Sequence, residues 1–414
     1  MIYNKNVCSF LAAFLTFLGF NSVATAQNMA PDLQEIKVDV VYLASDFLEG
    51  RETGTEGEAL AAAYIASRFE DLGLEPYKGD VWNHSFDFKF STNPHAAPGS
   101  GEPRVGSNVV GFLDNGADQT VVIGAHYDHL GHGIFGSRQP DEPAIHNGAD
   151  DNASGVAGIL EIARQLKDSA AKGNNYVFVG FSGEELGLYG SKAFVKSAVF
   201  DADKVNYMIN LDMVGRLNQE KVLAVNGTGT SPAWDDVLAS AKPADFDIKK
   251  HESGIGASDH TSFYLEDIPV LHFFTGQHAE YHKASDDSPL INFEGIYEVA
   301  SYIVDIIESL DGAGELAFTK TKDEQNTRST FKVSMGIMPD YVADGVGVRV
   351  DAVMDGRPAA VAGLEKGDIV IQLGEVKVDN INDYMMALGK LEKGDKTTVV
   401  VKRGDKEVKK DIQF

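Results

Sequence analysis

The chain has 414 residues, 43% of them hydrophobic and 24% charged, and carries a formal charge of −26. Such a composition is globular, and its acidity argues against nucleic acid and anionic membrane surfaces as partners. The length exceeds what one hydrophobic core usually organises, so two domains are expected.

The first 26 residues read as a secretory signal: Lys5, an apolar stretch from Val7 to Phe20, and the small-residue cleavage site Ala24-Thr25-Ala26. Gln27 would open the mature chain. The apolar stretch is too short to span a bilayer, which takes about 20 residues, and no later one is longer. The expectation is an exported protein, periplasmic or secreted, with no membrane span. Cys8, the only cysteine, falls inside the signal, so the mature chain is expected to fold without disulfides.

From 27 to 310 short apolar runs alternate with helical patterns, which predicts an α/β domain with a doubly wound, mostly parallel sheet and helices on both faces. Glu58 to Leu72 is the first such helix. The run from Thr120 to Ala125 is a buried strand leading straight into His126-Tyr127-Asp128. The small-residue turn from Gly148 to Gly155 presents Asp151. A helix from Ser154 to Lys167 follows, with Ser154 as its expected N-cap. A second strand, Asn175 to Phe181, precedes Ser182-Gly183-Glu184-Glu185, and a short helix runs from Leu186 to Lys196. A third strand, Val205 to Leu211, ends at Asp212, and His282 lies further on in another turn-rich stretch. Polar residues dominate 311–330, which reads as a linker. From 331 to 414 the pattern changes to short strands at 347–353, 368–373 and 397–401 around one helix, enough for a small β-rich barrel.

His126, Asp151, Glu185, Asp212 and His282 are therefore candidate metal ligands. In open α/β sheets the carboxyl ends of the strands line the binding crevice, where ligands spread along the chain converge. Three carboxylates and two imidazoles suit zinc, and two such cations with one bridging hydroxide would neutralise the acids. The pattern points to a two-metal hydrolase. Asp128 is a candidate to fix the tautomer of His126 through the second ring N–H. Of the adjacent acids Glu184 and Glu185, one can bind metal while the other handles protons. His129, His132, His146 and His251 lack comparable placement and are assigned to polar loops.

The motifs His126-Tyr-Asp128-His, Gly148-Ala-Asp-Asp151-Asn-Ala-Ser-Gly155, Ser182-Gly-Glu184-Glu185-Leu-Gly-Leu, Asn210-Leu-Asp212-Met and His282-Lys-Ala-Ser-Asp286 resemble those of the co-catalytic zinc metallopeptidases, peptidase family M28. The likeness runs from about Leu33 to Leu310. It implies two zinc ions per chain bridged by Asp151, one completed by His126 and Asp212 and the other by Glu185 and His282, with Glu184 as general base. The implied activity is removal of N-terminal residues from peptides with a free α-amino group. Carboxypeptidases and single-zinc glutaminyl cyclases on the same fold remain open as alternatives. The segment Gly254-Ile-Gly-Ala-Ser-Asp-His-Thr-Ser-Phe263 resembles the family's substrate-side loop, which implies that Asp259, His260, Phe263 and also Tyr281 line the specificity pocket.

Residues 331–414 resemble a PDZ domain, on Ser334-Met-Gly-Ile-Met338, Pro358 to Val370, the helix Ile381 to Leu391 and Val401-Lys-Arg-Gly404. The resemblance implies capture of an extended peptide or protein ligand along a sheet edge, with Met335, Gly336 and Ile337 as the peptide-binding loop. A protein that only binds peptides through this module, its larger half a scaffold, is the competing class.

Overall fold

The computed structural model describes residues 31–90, 101–139, 143–321, 333–339, 346–353, 356–379, 381–404 and 406–414. The expected secretory signal lies outside them, as do residues 322–330 of the expected linker.

The larger part begins with helices α1 (Pro31–Leu43) and α2 (Glu56–Asp71), the latter capped by Thr55, whose side chain accepts the Glu58 N–H. Strands β1 (Glu75–Pro76), β2 (Asn83–Phe90) and β3 (Glu102–Leu113) follow, then β4 (Thr120–His126), α3 (Gly155–Asp168), β5 (Asn175–Phe181), α4 (Tyr189–Val195) and β6 (Val205–Leu211). The chain continues through β7 (Val222–Asn226), α5 (Trp234–Ala241), β8 (Asp247–His251), α6 (His260–Tyr264), β9 (Val270–Phe274) and α7 (Phe293–Ser309). Among the described residues the strands form one sheet in the order β1-β3-β5-β4-β6-β9-β7-β8, with β2 also paired to β3.

The sheet is mixed rather than mostly parallel. Its centre, β5-β4-β6-β9, is parallel, but β3 joins β5 and β7 joins β9 in the antiparallel sense. The parallel centre is buried on both faces, as such strands must be. Alternate residues Val121, Ile123 and Ala125 of β4 face the core shared with α2, α3 and α7, whereas Val122 faces a second core with Phe194 of α4 and Phe263 of α6. Side-chain alternation along a strand thus divides one apolar run between two cores.

Residues 311–321 do not behave as a free linker. Leu316 and Thr321 are buried, the Leu316 N–H is donated to Asn206, Phe318 packs at a tilt against Tyr264, and the Tyr264 hydroxyl accepts the Thr321 N–H. The apolar residues in this otherwise polar stretch are too few to set a periodic pattern, but two of them find the existing core.

The C-terminal part contains β10 (Ile337–Pro339), β11 (Val348–Val353), α8 (Pro358–Ala362), β12 (Ile369–Leu373), β13 (Val376–Lys377), α9 (Ile381–Gly389), β14 (Lys396–Arg403) and β15 (Lys406–Gln413). The strands pair antiparallel in the order β10-β11-β12-β14-β15, with β13 on β12, around their own core of Val350, Val370, Leu388, Val399 and Val401. Met335 and Ile337 of the expected peptide-binding loop are buried in that core. Gly336 between them has φ +77°, and a Cβ there would strike the Arg357 side chain.

Candidate metal centre

The carboxyl ends of the parallel strands meet at one place. His126 closes β4, Glu184 and Glu185 follow β5 by a short turn, Asp212 follows β6, and His282 lies on the connection after β9. Asp151 comes from the connection between β4 and α3. This is the convergence the strand pattern predicts.

His126, 1% exposed, directs Nε2 to Asp151 Oδ1 at 3.3 Å and Asp212 Oδ1 at 3.4 Å. His282 directs Nε2 to Asp151 Oδ2 and to Glu185 Oε2, both at 3.2 Å. The two oxygens of Asp151 therefore face two imidazoles, each paired with a second carboxylate. The tautomers suit this: His126 Nδ1 lies 3.2 Å from the Asp128 carbonyl and His282 Nδ1 lies 3.0 Å from the Gly136 carbonyl, so each ring donates at Nδ1 and leaves Nε2 for the centre.

The expected partner of His126 is Asp128, and contact is made through its backbone instead; the carboxylate stands 3.7 Å off the ring. That carboxylate accepts the N–H of Glu184 at 3.1 Å, the N–H of Glu185 at 3.4 Å and the Thr53 hydroxyl at 3.1 Å. Asp128 thus holds the turn that presents both glutamates. A two-residue spacing allows either arrangement, and only the packing of the turn selects between them.

His129 is not a polar loop group. It is 2% exposed and donates from Nδ1 to Glu185 Oε1 at 2.8 Å, with Asp151 at 4.0 Å. His129, Asp151 and Glu185 also form a group close enough to hold a cation, as do His126, Asp151 and Asp212. His146 is buried too, between the Ala144 carbonyl and Ser137, whereas His132 is exposed.

The Asp151 turn is held from several sides. Asp286 is fully buried and accepts the N–H groups of Asp150 at 2.9 Å and Asp151 at 3.1 Å. Asn152 donates to the Leu211 carbonyl and accepts the Met213 N–H, gripping the backbone on both sides of Asp212. Ser154 does not cap α3; its hydroxyl turns back to the carbonyl and carboxylate of Asp150. Arg51 is fully buried and its guanidinium donates to the carbonyls of Leu43, Tyr127, Asn147 and Gly148. No signal in the polar stretch around Arg51 marks it; it was missed because its partners are backbone atoms distant in sequence.

Electrostatics follow from acids crowded out of water. Burial pulls His282 down, but Glu185 and Asp151 carry it up to about 10. Burial pushes Glu185 up, and His282 and His129 hold it down at about 2. Glu184 differs: burial, and then the neighbouring Glu185, Asp212 and Asp259, drive its carboxyl well above the usual range against the pull of His126. The adjacent glutamates are thus separated in proton affinity, as acid–base work requires.

The expected specificity residues divide. Asp259 is fully buried, and burial above all pushes it up to about 7 against the pull of His126 and Ser191. His260 stacks on His272 at 4.5 Å, buried, with both ring nitrogens unbonded. Phe263 is a core residue, packed among Phe181, Phe194 and Phe200. Tyr281 stacks on His282 at 3.9 Å and joins Met213, Ala224 and Phe274 in a small apolar cluster on the flank between Asp212 and His282.

The donor set and ring orientations fit divalent zinc: two imidazole Nε2 atoms and the oxygens of three carboxylates, arranged in two groups that share Asp151.

Comparison with known proteins agrees with this geometry. The model of peptidase family M28 matches residues 108–307, and that of the PDZ domain matches residues 317–414. A probable leucine aminopeptidase of Arthroderma otae is 28% identical over 49% of this chain and 56% of its own length. The chain spans about half the length of the first curated relatives it matches. Among solved structures, a zinc aminopeptidase from Bacillus subtilis superposes with TM-score 0.54 at 18% identity, over 69% of this chain and 98% of that one. The glutaminyl cyclase of Porphyromonas gingivalis superposes with TM-score 0.55 at 17% identity, over 67% and 98%. With the strand-end convergence and the paired donor groups, these likenesses make residues 108–307 a domain of peptidase family M28, followed in the same chain by a PDZ domain.

Proposed function

We propose that the chain is an exported aminopeptidase that holds two zinc ions and releases N-terminal residues from peptides. The observation that carries this reading is Asp151, whose two oxygens each face an imidazole Nε2 backed by a further carboxylate. His126 and Asp212 would hold one ion, Glu185 and His282 the other, with Asp151 between them. When bound, the pair would supply Lewis acidity toward the scissile carbonyl and toward a water molecule.

The chain's own groups then divide the remaining work. Glu184 takes a proton from the attacking water onto its carboxylate and passes it to the departing amine nitrogen. Asp128 fixes the Glu184 backbone, and His129 orients Glu185. The PDZ domain would recruit longer peptides along the edge of β10, which pairs only with β11 among the described residues.

The test is a panel of unblocked, N-acetylated and N-terminal glutaminyl peptides on the mature protein, with and without a chelator. Release of free N-terminal residues from unblocked peptides alone, lost with chelator and restored by zinc at two ions per chain, is expected. Glu184→Gln should retain zinc and lose turnover by about 10²–10⁴-fold. Cyclisation of N-terminal glutamine, or action on blocked or C-terminal substrates only, would replace this reading.

A further inference from the structure

Beside the metal centre a shallow open cleft of about 70 Å³ is lined by Lys89, Phe90, Phe135, Leu186 and Tyr189. Its position is fixed by covalent and hydrogen-bonded continuity with the centre. Leu186 follows Glu185 directly. Phe135 sits on the loop whose Gly136 carbonyl accepts from His282 Nδ1, and the Arg138 N–H of that loop is donated to the His282 carbonyl at 2.9 Å. The opposite wall, Phe90 at the end of β2, is held by the Arg104 guanidinium 3.7 Å over its ring, itself paired to Glu52 at 2.8 Å. Tyr189 is braced by Phe88 at 5.6 Å.

Four of the five lining residues carry large, mainly apolar side chains, and the cleft opens to solvent: Tyr189 is 40% exposed and Ile134, next to Phe135, 68%. Large apolar side chains left in water at the rim of a polar centre mark a place where an apolar group is received. Lys89 has no ion-pair partner among the described residues, and its aliphatic stem can cover an apolar occupant while the ammonium stays in water.

We propose that this cleft is the subsite for the second residue of the peptide, and that it selects a bulky apolar or aromatic side chain there. The inference rests on the aminopeptidase reading. In an extended peptide successive side chains point to opposite sides, so residues one and two reach different flanks of the centre. Glu184 delivers its proton to the amine of residue two, which places the leaving residue on the side of the Glu184–Tyr189 turn, where Leu186 and Tyr189 lie. The cluster of Met213, Phe274 and Tyr281 on the other flank is left for residue one.

The experiment compares kcat/KM of the zinc-loaded full chain for Leu-Phe-amide, Leu-Gly-amide and Ala-Gly-amide in wild type, Phe135→Ala and Phe90→Ala. Wild type should prefer Leu-Phe-amide over Leu-Gly-amide by about tenfold or more, and each variant should lower that ratio several-fold while the Leu-Gly to Ala-Gly ratio holds. Calorimetry on Glu184→Gln reads the same cleft without turnover, with tighter binding of Leu-Phe-amide expected. Equal use and equal binding of the phenylalanyl and glycyl peptides overturns the subsite, as does a shift confined to the residue-one ratio. If no peptide is hydrolysed but calorimetry keeps the phenylalanyl preference, the aminopeptidase reading fails and the cleft remains an apolar side-chain site.

Discussion

Arg51 shows how much of this centre depends on a residue that touches no ligand side chain. Burial lowers its pKa to about 10, with Asp128, Asp151 and Asp286 opposing, so it stays charged at neutral pH while binding four carbonyls on three segments. Two of those segments lead into His126-Tyr-Asp128 and the Asp151 turn. Arg51→Met should cost at least about 3 kcal/mol, because several buried carbonyls lose their donor at once. Urea titration of the metal-free protein measures this, and a change under about 1 kcal/mol would assign the carbonyls to other donors. Legibility at this scale follows the partner type. His126, Asp151, Glu185, Asp212 and His282 could be picked out because their side chains must converge and three of them follow apolar strands. Arg51, Asn152 and the carboxylate of Asp128 could not, because they bind backbone atoms, which carry no sequence signature.

Among the elements, the strands β5 and β6 have the limits their β-branched and aromatic runs announce, Asn175–Phe181 and Val205–Leu211. The sense of the outer strands was not legible, since an apolar run buried on both faces looks the same beside a parallel or an antiparallel neighbour. The PDZ domain depends on a smaller device. Asp368, 1% exposed, takes a forked pair of bonds from Arg403 at 2.7 and 2.8 Å and the Glu365 N–H at 2.9 Å, joining the start of β12 to the end of β14. Burial pushes its carboxyl up, but these donors outweigh it and the net shift is downward. A depressed folded pKa contributes stability that is fully present above the unfolded value near 3.9 and is lost as pH falls through the folded one. Amide exchange in β12 and β14 should therefore be faster in Asp368→Asn than in wild type at pH 7, and the gap should close on acidification below about 3.9. A gap independent of pH would assign the effect to packing.

For the whole molecule, the join between the domains lies later than composition suggests. Leu316, Phe318 and Thr321 belong to the larger body, so a chain ended at Leu310 loses buried contacts that one ended at Thr321 keeps. The shorter form should be less stable by about 2–4 kcal/mol, read as a lower unfolding midpoint, with the longer form near the full-length value. Equal midpoints would make this segment a passive tether. The loop from Leu130 to Arg138 carries a last consequence. It offers Phe135 to the cleft and, through Gly136 and Arg138, grips both the ring and the backbone of His282. If the cleft takes a peptide side chain as proposed, cation binding and the choice of peptide would share one short strip of chain, and any coupling between them would act equally in both directions.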